Sequence, residues 1–257
     1  MHRGLAAALA LLLVAGVVKI PMESALDRDQ QEAGFRTAEL DFDMRERLTQ
    51  MTFLAALSGL RALVADMFWL KVFTRFENAD WGRMPYLLDT VTSLQPRSEL
   101  FWDLAHWHMA YNASSWAYHD SDLPSEALRR KAQEEYWELG RGLLERGIKN
   151  NPDSRMLWER LGGLLADKFE DHCAAAEAWG QAASQPDASP YAKRFAAYEL
   201  ARCPGREEEA YQRLMALYQM GERERKPTLL RLLQEMEVEL DIPMEQRIYK
   251  DSSNSQE

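Results

Sequence analysis

Basic residues are scarce relative to acidic ones in this chain of 257 residues. Lysine and arginine number 31 against 41 aspartates and glutamates, which leaves a formal charge of −10. A chain of this charge has no general attraction to phosphate backbones, so we expect no nucleic-acid partner. A folded core is nevertheless expected, because 46% of the residues are hydrophobic and eight are tryptophan. The length suits one large domain or two ordinary ones.

Recognisable catalytic and metal-binding motifs are also missing. No serine, cysteine or lysine lies in a nucleophile motif. His106 and His108 point about 200° apart on a helix and therefore cannot share a metal ion. Side chains of Asp103, His119 and Asp120 could still converge on the first histidine, but they complete no ligand set of known spacing. We therefore predict a non-enzymatic protein without a metal or cofactor.

Residues 1–22, at the N-terminus, contain one long apolar run. The run from Gly4 to Val18 has 15 residues, fewer than the roughly 20 that cross a bilayer, although it can extend if Lys19 reaches the interface. We interpret 1–22 as a signal anchor; the alternative is a cleaved signal peptide, which would release the chain into the periplasm. No cysteine follows the run, which excludes a lipoprotein signal. Because Arg3 precedes the run and acidic residues follow it, the bulk of the chain is predicted on the extracytoplasmic, periplasmic side.

Composition divides the remaining chain into three parts. They are a polar spacer (23–46), a helical-repeat domain (47–242) and a disordered tail (243–257). The repeat domain opens with a long apolar helix over residues 48–76, continuous or broken at Ser58-Gly59. Its charges at Arg61, Asp66 and Lys71 do not share one face, and burying them in lipid costs several kcal/mol. We therefore expect a buried soluble helix rather than a second membrane span.

The spacing of prolines indicates helical repeats. The interval from Pro152 to Pro186 is 34 residues, the period of a tetratricopeptide helix-turn-helix unit. In that unit a small residue lets two helices approach closely, and large side chains fill the space beside it. Trp158, Leu161, Gly162 and Leu165 match the first helix of the unit, and Ala174, Trp179 and Ala182 match the second if one residue is inserted at the turn. We therefore predict an all-α fold: a tetratricopeptide-like α-solenoid of antiparallel helix pairs behind an N-terminal hydrophobic helix.

Two degenerate copies flank this repeat. Pro96 precedes Trp102 by six residues, the same spacing as in the central copy, and the two copies are 56 residues apart. That distance equals one repeat of 34 residues plus an insertion of 22, which turn-forming residues place at about 112–133 as a long loop. A third copy starts at Pro190, and a lone helix after Pro227 is predicted to cap the array.

Several short segments carry a family resemblance. They are Gly59–Ala62, Asp66–Leu70, Leu94–Arg97, Met109–Asn112 and Asn150–Pro152. They lie between Ser58 and Pro186, about half the chain, and resemble a group of bacterial membrane-anchored tetratricopeptide-type proteins of uncharacterised function. The resemblance implies an anchor followed by a helical array, and it supplies no catalytic residues.

The two cysteines occupy matching places in the repeat. Cys173 falls at the turn between the helices of the central copy, and Cys203 falls at the same kind of turn in the next copy. Stacked repeats bring such turns side by side, and an extracytoplasmic compartment permits oxidation. We predict a disulfide between them; the alternative is two small buried residues.

The repeat phase also predicts a concave binding surface on the first helix of each copy. Its residues are Leu100, Asp103, Trp107, Tyr111, Met156, Glu159, Asp167 and Lys193. Because this lining is acidic and aromatic, we expect a basic or amphipathic protein or peptide partner, held by a membrane-tethered scaffold. The alternative is an accessory or small-molecule-binding module. Its pocket would be lined by Trp102, Trp107, Tyr111 and Trp116.

Overall fold

The computed structural model of the protein describes residues 60–248, which belong to one compact unit and contain helices but no strand. The predicted anchor (1–22), the spacer (23–46), the first part of the apolar helix (48–59) and the last nine residues (249–257) lie outside the described residues. The α-helices of the described range are α1 (Arg61–Glu77), α2 (Met84–Leu94), α3 (Glu99–Trp107), α4 (Ser114–Tyr118), α5 (Glu126–Asn150), α6 (Arg155–Lys168), α7 (His172–Ser184), α8 (Pro190–Leu200), α9 (Glu207–Gln219) and α10 (Pro227–Glu239). A π-helical segment, His108–Ala113, joins α3 to α4 without a break, and short 3-10 turns span Trp81–Arg83 and Met244–Gln246.

Polar caps and prolines set the helix starts. The side chains of Ser125, Ser154 and Asp171 accept hydrogen bonds from backbone N–H groups three residues later, at the beginnings of α5, α6 and α7. These bonds satisfy donors that a helix end otherwise leaves unpaired. Pro190 and Pro227 occupy the first positions of α8 and α10, where the absent N–H costs nothing.

Successive helices pack as pairs. α1 packs on α2, the α3–α4 stretch packs on α5, α6 packs on α7, and α8 packs on α9, while α10 closes the series against α9. Neighbouring pairs meet through α5 with α6 and through α7 with α8. The all-helical, repeat-like fold predicted from the proline spacing is therefore confirmed at this level.

A hydrogen bond recurs at the same place in two copies of the repeat. The indole Nε1 of Trp102 donates to the carbonyl of Pro96 at 2.9 Å, and that of Trp158 donates to the carbonyl of Pro152 at 3.1 Å. Each bond ties the first turn of a helix to the proline turn before it. In the third copy the same helix position, three residues after the first residue of α8, is Lys193, so no indole is present there.

Glycines allow the helices of a pair to touch. A Cβ on Gly162 would lie 2.7 Å from the Trp179 indole, and a Cβ on Gly147 would lie 2.8 Å from the Trp102 ring. Distances below 3 Å are not tolerated between real side chains, so each tryptophan fills the space that a glycine leaves. The small-next-to-large pattern predicted for Gly162 and Trp179 is present.

The predicted disulfide is confirmed. Cys173, in the first turn of α7, and Cys203, in the turn between α8 and α9, form an S–S bond with their Cα atoms 4.8 Å apart. Beside the bond, Nδ1 of His172 lies 2.8 Å from the buried carboxylate of Glu199. The disulfide therefore joins the α6–α7 pair to the α8–α9 pair.

The predicted long loop at 112–133 is wrong for most of its length. The π-helical segment and α4 continue to Tyr118, and α5 starts at Glu126, so only residues 119–125 are non-helical. Ser114, which is one of the turn-forming residues of this segment, fits into the helix because its hydroxyl donates to the carbonyl of Ala110 at 2.6 Å. The insertion therefore lengthens a helix pair.

α1 is not the buried helix predicted from its apolar composition. Only Ala65 and Val72 of this helix are buried, whereas Leu63, Met67 and Leu70 are more than half exposed. The exposed apolar residues recur every three or four positions and therefore form one face of α1 that the described residues do not cover. Within residues 60–248, none of the helices combines the length and apolarity needed to cross a membrane.

The predicted disorder from residue 243 is wrong for residues 243–248. The backbone N–H of Ile248 donates to the carboxylate of Glu237 at 2.7 Å, and Arg247 donates to the carbonyl of Ile242. Glu237 is fully buried in α10. These bonds fold the segment back onto the last helix.

Candidate binding surface on α3 and α6

An exposed aromatic stack marks one face of α3. Trp107 is 46% exposed, and its ring stacks on that of Tyr111 with centroids 4.3 Å apart and planes 19° apart. Leu100, which is 58% exposed, lies two turns earlier on the same face. Three of the predicted partner-binding residues therefore share one surface.

The π-helical segment His108–Ala113 carries Tyr111. At this segment α5 approaches closely, since a Cβ on Gly140 would lie 2.5 Å from the Cβ of Ala110. Single π-helical turns are rare and occur often at functional sites. The aromatic stack thus sits on an irregular helix turn held in place from behind.

Helix α6 completes this surface with charged residues. The ammonium of Lys168 lies 4.8 Å from the centroid of the Tyr111 ring, a cation–π distance. Burial, followed by the negative charge of Asp167, raises the pKa of the Tyr111 hydroxyl, while Arg160 opposes the shift. Asp167 is exposed and forms no ion pair with a residue that the structure describes.

Asp103 connects the two helices. Its carboxylate accepts two hydrogen bonds from the guanidinium of Arg160, at 2.8 and 3.4 Å, and its side chain is only 16% exposed. Because both oxygens are occupied by this pair, Asp103 holds α3 against α6 and orients the guanidinium of Arg160. We define the α3–α6 surface as Leu100, Asp103, Trp107, Tyr111, Arg160, Asp167 and Lys168.

Glu159 lies in a second junction, between α6 and α8, and not on an open groove. It is buried, and its carboxylate accepts hydrogen bonds from Arg155, Ser189 and Tyr191 at 2.7 to 2.8 Å. The bond to Glu159 is the main cause that raises the pKa of Arg155 above its ordinary value. The prediction that Glu159 faces a partner is therefore wrong, because all of these donors belong to its own chain.

A charged residue at the same helix position links each first helix to the next. Asp103, Glu159 and Arg194 each lie four residues after the first residue of α3, α6 and α8. Arg194 donates to the carboxylate of Glu224, in the turn before α10, at 2.9 and 3.2 Å. The position predicted to line the groove thus carries the bonds between repeats.

Lys193 and Met156 do not belong to the α3–α6 surface. Lys193 lines a cavity of about 440 Å³ between α7, α8 and α9, together with Arg213 and Met220. It lies two residues after Tyr191, which reaches α6, so the two side chains point to nearly opposite sides of α8. Met156 is half-buried and packs against the core.

The four aromatic residues proposed to line one pocket are not brought together. Trp102 is buried and bonded to Pro96, whereas Trp107 and Tyr111 stack on the surface. Trp116 lies 14 residues beyond Trp102, or about 21 Å along a helix, and lines a separate cavity. The pocket prediction is therefore wrong, because these residues face different sides of one long helix.

Two histidines, His106 of α3 and His108 of the π-helical segment, are shielded from water to different extents. Burial lowers the pKa of His106 to about 4, an effect that Asp103 opposes and Arg160 reinforces. Burial also lowers the pKa of His108, whose ring lies 5.1 Å from that of Phe76. Among the described residues, no group of three or more histidine, cysteine, aspartate or glutamate side chains is placed to hold a metal ion.

Two residues of the α3–α6 surface were absent from the sequence prediction. Arg160 and Lys168 were missed because the repeat phase selected their neighbours Glu159 and Asp167. The spacing of seven from Arg160 to the predicted Asp167 contained the signal, since residues two turns apart share a helix face. Comparison with known proteins returned no matching family model, curated protein or solved structure.

Proposed function

We propose that the protein is a membrane-tethered, non-enzymatic scaffold that binds a protein partner through the α3–α6 surface. The observation that carries this proposal is the half-exposed Trp107 stacked on Tyr111. Tryptophan, tyrosine and arginine dominate the energetics of protein interfaces, and here all three types lie together. Stacking of Trp107 on Tyr111 and the Lys168 ammonium over the Tyr111 ring order these side chains before a partner binds, which reduces the conformational entropy lost on binding.

The charges of the surface favour an amphipathic partner over a purely basic one. Asp103 and Asp167 are balanced by Arg160 and Lys168, two cations that the predicted acidic lining did not include. Leu100 and Trp107 supply apolar contact area at one end. An amphipathic helix with an aromatic or aliphatic anchor matches this combination.

We further propose a tetratricopeptide-like solenoid whose bulk lies outside the cytoplasm. The repeated bond from tryptophan to a proline carbonyl and the packed helix pairs support the solenoid. The Cys173–Cys203 disulfide supports an oxidising compartment, since such bonds rarely persist in the cytosol. The apolar run within residues 1–22 supports the tether.

Photocrosslinking in the native membrane tests the binding surface. A photoreactive phenylalanine analogue at position 107 of the full-length chain should capture a discrete protein adduct. The same analogue at position 238, also an exposed apolar site but on α10, should not capture it. Equal capture at both positions would count against a specific surface.

Affinity measurements with the captured partner give the decisive test. Trp107→Ala should weaken binding by about thirtyfold, the effect of losing a hot spot of roughly 2 kcal/mol. Leu128→Ala is the control, because Leu128 is an apolar residue of α5 that is exposed to nearly the same extent as Trp107. Unchanged affinity of the Trp107 variant would refute the proposed role of this surface.

A further inference from the structure

A second concave site lies where α4 ends. A cavity of about 330 Å³ opens between α4, the 119–125 turn, α5 and the start of α2. Trp116, which is 43% exposed, and the half-buried Tyr136 are its aromatic lining residues, while Pro85 and Leu139 add apolar surface. The volume is at the lower end of the range typical of small-ligand sites.

The charged residues that line this cavity are acidic, while Arg129 donates to the carbonyl of Leu123, another lining residue, at 3.1 Å. Asp120 and Glu135 both line it, and no lysine or arginine is among the described lining residues. Neither carboxylate forms an ion pair with a residue that the structure describes. One oxygen of Asp120 accepts the N–H of Asp122 at 3.0 Å, which leaves the other oxygen available.

Glu135 directly precedes Tyr136 on α5, and both residues line the cavity. Burial, followed by the negative charge of Glu135, raises the pKa of the Tyr136 hydroxyl. A cation bound beside Tyr136 would therefore meet both a fixed negative charge and an aromatic ring. This site shares no residue with the α3–α6 surface.

We propose that this cavity binds an organic ammonium group, placed against the Trp116 ring and between the carboxylates of Asp120 and Glu135. Tryptophan is the best aromatic partner for a cation, and aromatic rings beside carboxylates recognise ammonium groups through their methyl or methylene surface and their charge together. The apolar contributions of Pro85 and Leu139 suit the carbon substituents. The ammonium belongs either to a free quaternary amine or to a lysine side chain. This site goes beyond the proposed scaffold function and does not depend on it.

Titration of the full-length chain with matched probes tests the assignment. Choline and N-acetyl-lysine methylamide represent the two sources, and 3,3-dimethyl-1-butanol is the uncharged analogue of choline with the same shape. Calorimetry or ligand-observed NMR should show saturable binding of at least one cation. The neutral analogue should bind about tenfold more weakly than choline if choline is the ligand. Preference for the lysine probe assigns the site to a peptide side chain.

Two variants with matched controls locate the binding. Trp116→Ala and Glu135→Gln should each lower the affinity of the bound cation by about three- to thirtyfold. Leu128→Ala and Glu134→Gln serve as controls, because both residues are exposed on α5 and neither lines the cavity. Glu135→Gln changes an exposed side chain, so it tests the site even if Trp116→Ala impairs folding.

Three results would each overturn the proposal. The first is that neither choline nor N-acetyl-lysine methylamide shows saturable binding. The second is that choline, if it is the ligand, binds no more tightly than its neutral analogue. The third is that Glu135→Gln leaves the affinity for the bound cation unchanged. Circular dichroism of every variant establishes that the helices are intact. Loss of partner binding through Trp107 would leave these measurements unaffected.

Discussion

At the residue scale, burial of His106 makes the stability of the fold depend on pH. Its pKa falls from the ordinary 6.5 to about 4 on folding, chiefly because burial disfavours the charged ring. Between pH 4 and pH 6.5, therefore, His106 binds a proton in the unfolded chain but not in the folded chain. The stabilisation is complete above about pH 6.5 and is lost as the pH falls towards 4. Urea titrations should show a loss of roughly 2 kcal/mol from this residue between pH 7 and pH 5.

A variant isolates this contribution from that of the acidic residues. His106→Gln should unfold more easily at pH 7 but lose less stability than the wild type between pH 7 and pH 5. His119→Gln is the control, because His119 is exposed. If both variants lost as much stability as the wild type between pH 7 and pH 5, burial of His106 would not be the cause of this pH dependence.

At the element scale, the contact between α5 and the π-helical segment gives a sharp test of packing. Gly140→Ala places a Cβ 2.5 Å from the Cβ of Ala110 and 3.1 Å from its backbone nitrogen, so one helix must move. We expect a loss of about 1–3 kcal/mol in the free energy of unfolding. Gly142→Ala, two residues along the same helix, meets nothing within 4 Å and should instead stabilise by about 0.5–1 kcal/mol. Thermal and urea unfolding of the two variants measures the difference. Equal effects would show that the close contact has no energetic consequence.

The helix pairs could be predicted from sequence, but the phase of their faces could not. The proline spacing and the fit of Gly162 to Trp179 are local or periodic signals, and they specified the pairs and the disulfide turns. The π-helical turn leaves no such signal, because its extra residue is accommodated by contact with Gly140 from another helix. In the third copy α8 starts four residues after Pro186, whereas α6 starts three residues after Pro152. This offset of one residue rotates the faces of α8 by about 100° relative to the predicted phase, which explains why Lys193 was predicted in place of Arg194.

At the scale of the whole molecule, two core clusters meet near α7. The first cluster extends from α1 to α7, and the second contains Ala176 of α7 with residues of α8, α9 and α10. A small group around Trp179 and Ala192 lies between them. The Cys173–Cys203 bond and the Glu159 junction therefore reinforce the place where the two clusters meet.

Reduction of the disulfide should consequently loosen one part of the molecule more than the other. Closing a loop with a sequence separation of 30 residues is worth about 3–4 kcal/mol, an amount that reduction removes. Hydrogen exchange followed by mass spectrometry should show faster exchange in α8, α9 and α10 of the reduced protein than of the oxidised protein. The change in α5 and α6 should be smaller. A Cys173→Ser, Cys203→Ser double variant should reproduce this pattern and show no further response to reductant. Uniform acceleration across all helices would mean instead that the two clusters unfold as one cooperative unit.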